Sequence, residues 1–273
     1  PNPDCAHMNR LTALIFCLMV LTFSHAQVTS YGLSVEVVAE HQSGALAGMT
    51  TYRIYMECVN PEDVVSSVSG DAIFPLEITT TTSFYQDQIG AVTPNSINPL
   101  LFGFFADLEY DSWVTIGIGQ QPDPLISEGD VSVVESPTQG WASPFESGGN
   151  IVINDPTGGA WFVTQNYTNG VAGDDHKVLL AQLTTDGEIS GTLLVQIFEN
   201  GVGESDLRFH LSFDGTNGSG AGGCTDPEAD NYNSGAAVAT QASCDCAEGY
   251  YCTSGCVQPH SGHECVATTT APT

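Results

Sequence analysis

The residues with the clearest chemical pattern are cysteines near the C-terminus. Residues 217–273 contain six of the nine cysteines, whereas residues 27–216 contain only Cys58. The six are Cys224, Cys244, Cys246, Cys252, Cys256 and Cys265. In a secreted segment this short they predict about three disulfide bonds, and their spacing leaves all 15 connectivities open. So short a segment buries too little apolar area for its own core, so cross-links would supply its stability.

Zinc is the competing use of this segment. Its candidate ligands are Cys244, Cys246, His260 and His263. The spacing departs from the usual paired C-x₂₋₄-C units, and an oxidising compartment favours disulfide bonds. Cys58, at the end of a predicted strand, is either a buried free thiol or a cross-link to Cys265 or to another chain.

Carboxylates alternating along loops are the second pattern. The calcium-site candidates are Asp226, Glu228, Asp230 and Asn231. Ca²⁺ takes six to eight oxygen ligands, often carboxylates combined with loop carbonyls. Asp107, Glu109 and Asp111 alternate in the same way and would face one side of an extended segment. The alternative interpretation is turn chemistry, in which Asp and Asn side chains bond their own backbone.

Motifs for catalysis are not found in the sequence. It contains neither G-x-S-x-G nor H-E-x-x-H, so we expect no enzyme.

Aromatic stacking on a sugar is a separate candidate chemistry. Trp113 and Trp161 lie in strand-like runs and are predicted to be core residues. Trp141 lies in a loop and is the predicted exposed stacking residue.

Two short resemblances fall in the cysteine-rich segment. Residues 223–233 read GCTDPEADNYN and are followed by Ser243-Cys244. This stretch resembles the short GCTDP-x-A-x-NYNP-x-A…DDGSC module of secreted marine Bacteroidetes-type proteins. The resemblance implies an extracellular modular protein and a Cys224–Cys244 bridge. Ser234 replaces the usual Pro, and Gln241-Ala242 stands where Asp-Gly is expected. Residues 244–256 also resemble the tail of an EGF-like module, with Cys252 interrupting its spacing.

The charge balance restricts the partners. The chain has 32 acidic and 4 basic residues, a formal net charge of −28. Such a surface repels phosphate, so nucleic acid and anionic membranes are not expected partners. Salt bridges cannot neutralise so many carboxylates, and cations must do so, either as diffuse counterions or as bound calcium, the one candidate cofactor.

The N-terminus has the pattern of a signal peptide that begins at Met8. Arg10 precedes a 13-residue, largely apolar run, Leu11 to Phe23, and Ser24-His25-Ala26 supplies small residues for cleavage after Ala26. The run is too short to span about 30 Å of hydrocarbon. We therefore expect residues 1–26 to be upstream sequence plus a signal peptide, and the protein to be secreted or displayed at the cell surface.

The elements predicted for residues 27–216 are short strands separated by turn signals. The runs are Leu33–Ala39, Thr50–Cys58, Val64–Val68, Leu76–Phe84, Trp113–Ile118, Val131–Val134, Ile151–Ile153, Trp161–Thr164, Val178–Leu183, Gly191–Phe198 and Leu207–Phe213. Period-2 apolar alternation over so many runs predicts an all-β fold, an antiparallel β-sandwich or jelly roll. Two smaller sandwiches with a break near 119–130 are the alternative.

The remaining chain divides by composition. Residues 217–266 hold a Gly-rich linker and the small disulfide-rich module, and residues 267–273 form a Thr/Pro tail that suggests a stalk or linker in a longer protein. The expected function is that of a non-catalytic extracellular surface or matrix protein in adhesion or assembly. The alternatives are a carbohydrate-binding module that contacts extracellular polysaccharide and, third, a secreted hydrolase.

Overall fold

The computed structural model describes residues 30–204 and 206–219, and the backbone of four short strands beyond them. The strands of the first part are β1 (Gly32–Glu40), β2 (Thr50–Glu57), β3 (Val64–Gly70), β4 (Leu76–Thr80), β5 (Trp113–Val114), β6 (Ser132–Val134), β7 (Ile151–Ile153), β8 (Gly159–Phe162), β9 (Lys177–Thr185), β10 (Ile189–Phe198), β11 (Asp206–Asp214) and β12 (Asn217–Gly218). The helices are α1 (Ala142–Glu146) and the 3₁₀ turns Pro94–Ser96, Pro99–Leu101, Ala106–Tyr110, Pro124–Ile126 and Glu199–Gly201.

Two antiparallel sheets carry the fold. The smaller has the order β1-β2-β9-β5, and the larger has the order β12-β11-β10-β3-β8-β6, with β4 pairing β10 and β7. Each predicted run contains or overlaps one of these strands. The all-β, antiparallel, sandwich-like prediction is thus confirmed at that level.

Alternating side chains explain why these runs form half-buried strands. In β11, Leu207, Phe209, Leu211 and Phe213 point toward the core, and the polar residues between them are exposed. The inner faces of both sheets share one hydrophobic cluster, which includes Ile54 and Leu183 from the smaller sheet and Leu193 and Val195 from the larger. Burying this apolar area supplies the main driving force for folding.

The segment 119–130 does not separate two cores. β5 precedes it and pairs with β9, while β3 and β4 pair with β8 and β10 beyond it. Strands from both sides of the segment contribute to the same hydrophobic cluster. The alternative of two smaller sandwiches is wrong for this reason.

Two predicted strands end early. The run predicted for Trp113–Ile118 forms a strand only over Trp113–Val114, and Gly117 later in the run adopts a φ of +76°, outside the range of a strand. The run predicted for Leu76–Phe84 stops at Thr80, and Phe84 makes only an isolated bridge with Thr185. The apolar side chains of Ile116, Ile118 and Phe84 are nevertheless buried.

The long connection between β4 and β6 covers the outer face of the smaller sheet over β9 and β5. Ile97 and Leu108 from this connection pack with Trp113 and Leu179 in a second, small cluster. Gln182 Nε2 donates to the carbonyl oxygens of Glu109 and Asp111, at 2.9 Å each. β9 is therefore buried on both of its faces, and the outer face of the larger sheet is left as the broad exposed one.

Beyond residue 219 the structure describes only two strand pairs. Gly222–Gly223 pairs in parallel with Val238–Ala239, and Tyr250–Cys252 pairs antiparallel with Cys265–Ala267. Among the described helices, none has both the length and the apolar content needed to cross a bilayer.

Candidate functional site

Most of the predicted site residues belong to the C-terminal segment. The calcium candidates Asp226, Glu228, Asp230 and Asn231 lie outside the described residues. So do Cys224, Cys244, Cys246 and Cys256, while Cys252 and Cys265 are described only as backbone in the second strand pair. Within the described residues, no group of three or more His, Cys, Asp or Glu side chains is placed to hold a metal ion. The calcium site and the disulfide bonds thus stay predictions.

Trp141 is not exposed, and the prediction that it offers a stacking face is wrong on this point. Its side chain is 1% exposed and packs against Trp161, with ring centroids 5.6 Å apart. Its indole N–H donates to Val134 O at 3.2 Å. Glu135 Oε1 accepts from the backbone N–H groups of Trp141 and Ala142, which draws the loop inward. Trp113 and Trp161 are buried as predicted.

Asp107, Glu109 and Asp111 do not lie along an extended segment. Ala106–Tyr110 is a 3₁₀ helix, so these carboxylates diverge: Glu109 is exposed, Asp107 is half-buried and Asp111 is fully buried. Their predicted alignment on one side is wrong, because period-2 spacing aligns side chains only in extended backbone.

Asp111 instead holds a loop in place. Its carboxylate accepts from the backbone N–H groups of Asp87 and Ala91, at 2.8 and 3.2 Å. A Cβ added at Gly90 would lie 2.1 Å from Asp111 Oδ2, so the loop wraps closely around the carboxylate. Burial raises the pKa of Asp111 to about 7, against the lowering effect of these N–H donors.

The buried hydroxyl pair closest to a histidine is arranged against nucleophilic chemistry. Thr184 Oγ1 donates to Tyr110 O at 2.6 Å, so the hydrogen between Thr184 and Thr51, 2.8 Å apart, comes from Thr51. Thr51 Oγ1 must then accept from His41 Nε2, 2.9 Å away. A catalytic base would have to accept a proton from the hydroxyl, which is the reverse arrangement.

The other two described histidines also donate to structural acceptors. His176 Nδ1 lies 3.1 Å from Cys58 O, and His210 Nε2 lies 3.0 Å from Pro75 O. Since a carbonyl can only accept, the ring nitrogen in each contact carries the hydrogen. His210 faces outward on β11, as its position in the alternating run predicts.

Cys58 is buried, and among the described residues it has no disulfide partner. Burial, together with the nearby charge of Asp63, raises its pKa well above the usual value for a thiol. A thiol that stays protonated and inaccessible is a poor nucleophile and a poor metal ligand. The described part of the chain thus gives Cys58 a packing role.

Asp63, which the sequence did not single out, joins three turns. Its carboxylate accepts from the Tyr31 hydroxyl at 2.9 Å, from the Asn60 backbone N–H at 2.9 Å and from the Asn200 backbone N–H at 2.8 Å. These partners precede β1, follow β2 and follow β10. A buried carboxylate with this many donors is a structural hub.

The outer face of the larger sheet carries a polar groove that sequence inspection missed. The groove has a volume of about 520 Å³ and crosses β4, β10, β11 and β12. Its polar lining is Glu77, Thr79, Ser190, Thr192, Ser212, Asp214, Asn217 and Ser219. In three of these strands the polar residues are spaced i, i+2, the signal of an outward-facing row. Each pair is visible in the sequence, but the register that joins them is not.

No protein-family model matches this chain, and searches among the curated proteins and the solved structures likewise return no match. The functional argument therefore depends on the chain's own residues and geometry.

Proposed function

We propose that this protein is a secreted, non-catalytic extracellular surface or matrix module that acts in adhesion or assembly. The observation that supports the proposal is the polar groove on the outer face of the larger sheet, which is open to solvent, whereas the central strand β9 of the smaller sheet is covered by its own loops. Rigid antiparallel sheets hold exposed side chains at fixed spacings, which suits repeated recognition of an extended surface.

The sequence supports an extracellular setting. The signal-peptide pattern, the six clustered cysteines and the resemblance of residues 223–244 to a secreted module favour secretion. A net charge of −28 keeps the protein soluble and gives it affinity for cations. We propose that calcium bound by the C-terminal carboxylates stabilises the module.

Carbohydrate binding is the second candidate, and the groove is the specific observation that favours it. The described hydroxyl–histidine pair supports a binding role over hydrolysis, because Thr51 accepts a hydrogen bond from His41 where a nucleophile would donate one.

Retention under flow tests the proposal. Beads that carry residues 27–273 with oxidised cysteines are passed over surfaces coated with extracellular polysaccharide or with the protein itself. We expect retention on at least one surface, and none for beads that carry the reduced, alkylated and unfolded chain. The same preparation should turn over no ester, peptide or glycoside substrate. Enzymatic turnover would contradict the proposal. So would equal loss, from both surfaces, of beads that carry the folded chain and beads that carry the unfolded chain.

A further inference from the structure

We infer that the groove across β4, β10, β11 and β12 is a binding site for a neutral saccharide. This inference rests on the proposed adhesive function and names the class of ligand. It places sugar recognition on the outer face of the larger sheet and away from Trp141, whose ring is buried.

The register of four strands assembles two rows of polar side chains. Ser190 of β10 lies between Asp214 of β11 and Thr79 of β4, and Asp214 in turn faces Asn217 of β12. In the adjacent row, Thr192 lies between Ser212 and Glu77. Rows in a sheet repeat at about 4.8 Å across strands and about 6.8 Å along them, a grid on the scale of one pyranose ring.

The groove holds free acceptors and donors of the kind that sugars need. Glu77, Ser212, Asp214 and Asn217 are exposed, and their side chains make no hydrogen bond with any other described residue. A carboxylate accepts from two neighbouring hydroxyls of one sugar, while amide and hydroxyl groups both donate and accept.

The other hydroxyls of the groove are fixed by the protein. Thr192 Oγ1 donates to Pro75 O at 3.1 Å, and Thr79 Oγ1 lies 3.0 Å from Ser190 Oγ. Ser219 Oγ accepts from the Ser212 backbone N–H at 2.8 Å. The floor is thus preorganised, which lowers the entropy lost when a ligand binds.

Gly191 lies between the two polar rows and adds no side chain to the groove. A Cβ at this position would lie 2.4 Å from Glu77 O and 2.6 Å from the Phe213 ring. The Phe213 ring belongs to the core cluster, so a Cβ at Gly191 would point to the inner face of the sheet, away from the polar rows.

Charge selects neutral sugars over acidic ones. The groove lining includes two carboxylates, Glu77 and Asp214, and no lysine or arginine. Arg208, four residues before Ser212 on β11, pairs with Asp206 at 3.1 Å. A uronic acid or a sulfated sugar would meet like charge without a compensating cation.

Affinity electrophoresis in EDTA tests the site. Residues 27–273 are run in native gels that contain a β-1,3-glucan, a mannan, a galactan or a xylan, with alginate as the acidic counterpart. We expect retardation by at least one neutral polysaccharide and none by alginate. Ser212→Trp fills the groove, and Glu77→Gln removes an acceptor. Each should lower the affinity at least tenfold.

Matched variants keep the test specific. Ser132→Trp places the same large ring at an exposed position of β6, at the other edge of this sheet, and Glu40→Gln removes an exposed carboxylate from β1. Both should bind like the parent protein, and equal melting temperatures would show that all the variants fold. No retardation by any neutral polysaccharide, retardation by alginate, or unchanged binding of Ser212→Trp would overturn the inference. If Ser212→Trp beads were still retained under flow as well as the parent, the adhesive function would stand without this groove.

Discussion

Hydrogen-bond donors and acceptors decide what each polar residue of this protein does. No sequence pattern predicted the burial of Asp63, Asp111 or Thr184. Each of the three is buried, and its side chain bonds the backbone of a separate segment of the chain. Exposed carboxylates such as Glu77 and Asp214 have no such partners among the described residues and remain available to a ligand. Burial, more than residue type, separates structural acids from candidate binding residues.

Asp111 should make stability depend on pH. Its folded pKa of about 7 lies above its unfolded value of about 3.9, so the folded state holds the extra proton between these values. Stability should therefore fall as pH rises through this window, by at most about 4 kcal/mol. Asp111→Asn should remove this part of the pH dependence, as measured by urea unfolding in high salt from pH 4 to pH 8.

Glu109→Gln is the control for that measurement. It removes one carboxylate from the same 3₁₀ helix but at an exposed position. Repulsion among the remaining acids affects both variants alike, so their difference isolates Asp111. If both variants keep the parent's pH dependence, Asp111 does not titrate in this range.

Burial of Trp141 predicts a large loss of stability on truncation. Trp141→Ala removes a ring packed on Trp161 and should reduce the free energy of unfolding by about 3–5 kcal/mol. Phe104→Ala, at a side chain that is 83% exposed, should change it by less than about 0.5 kcal/mol. Denaturant unfolding of both variants makes the comparison. A neutral effect of Trp141→Ala would contradict the buried position.

Glycines fix how the elements end and how closely they approach. Gly117, three residues after β5, has a φ of +76°, and a Cβ there would lie 1.5 Å from Asn169 O. Asn169 Nδ2 donates to Ile116 O and Gly129 O, so this side chain clamps two loops against each other. The close approach at Gly117 allows the clamp to form.

Two alanine substitutions separate backbone strain from steric overlap. Gly44 has a φ of +81°, and a Cβ added there would have no neighbour within 4 Å, so Gly44→Ala should cost about 1 kcal/mol. Gly117→Ala adds the overlap with Asn169 and should cost at least about 2 kcal/mol more, on the order of other severe core changes. Thermal unfolding of the two variants gives the difference, and equal losses would mean that the Asn169 loop moves away freely.

At the scale of the whole molecule, the large excess of acidic over basic residues is the main electrostatic feature. Three bases remain after residue 26, and Lys177 and Arg208 already form ion pairs with Glu36 and Asp206. Most of the carboxylates must therefore be neutralised by cations from solution, and salt should screen their repulsion.

Calcium should raise the melting temperature of residues 27–273 at fixed high NaCl. Binding to the folded state adds about 2.7 kcal/mol at a hundredfold excess of ligand over Kd. We expect a rise in millimolar Ca²⁺ relative to EDTA, and none in Mg²⁺. Neutralising Asp226, Glu228 and Asp230 together should abolish the rise, whereas neutralising the exposed acids Glu40, Glu188 and Glu204 should not. Identical melts in Ca²⁺ and EDTA would show that the carboxylates form only a solvated surface.

The sequence by itself determined the strands and the class of fold, because side-chain alternation in runs such as β11 is a local property of extended backbone. It also determined the net charge of −28. The tertiary structure alone decided that β9 is covered on both faces, that Trp141 turns inward and that Asp111 is buried. It also joined Glu77, Ser190, Ser212 and Asp214 into one groove. These outcomes depend on register and on contacts between distant segments, which no local pattern encodes.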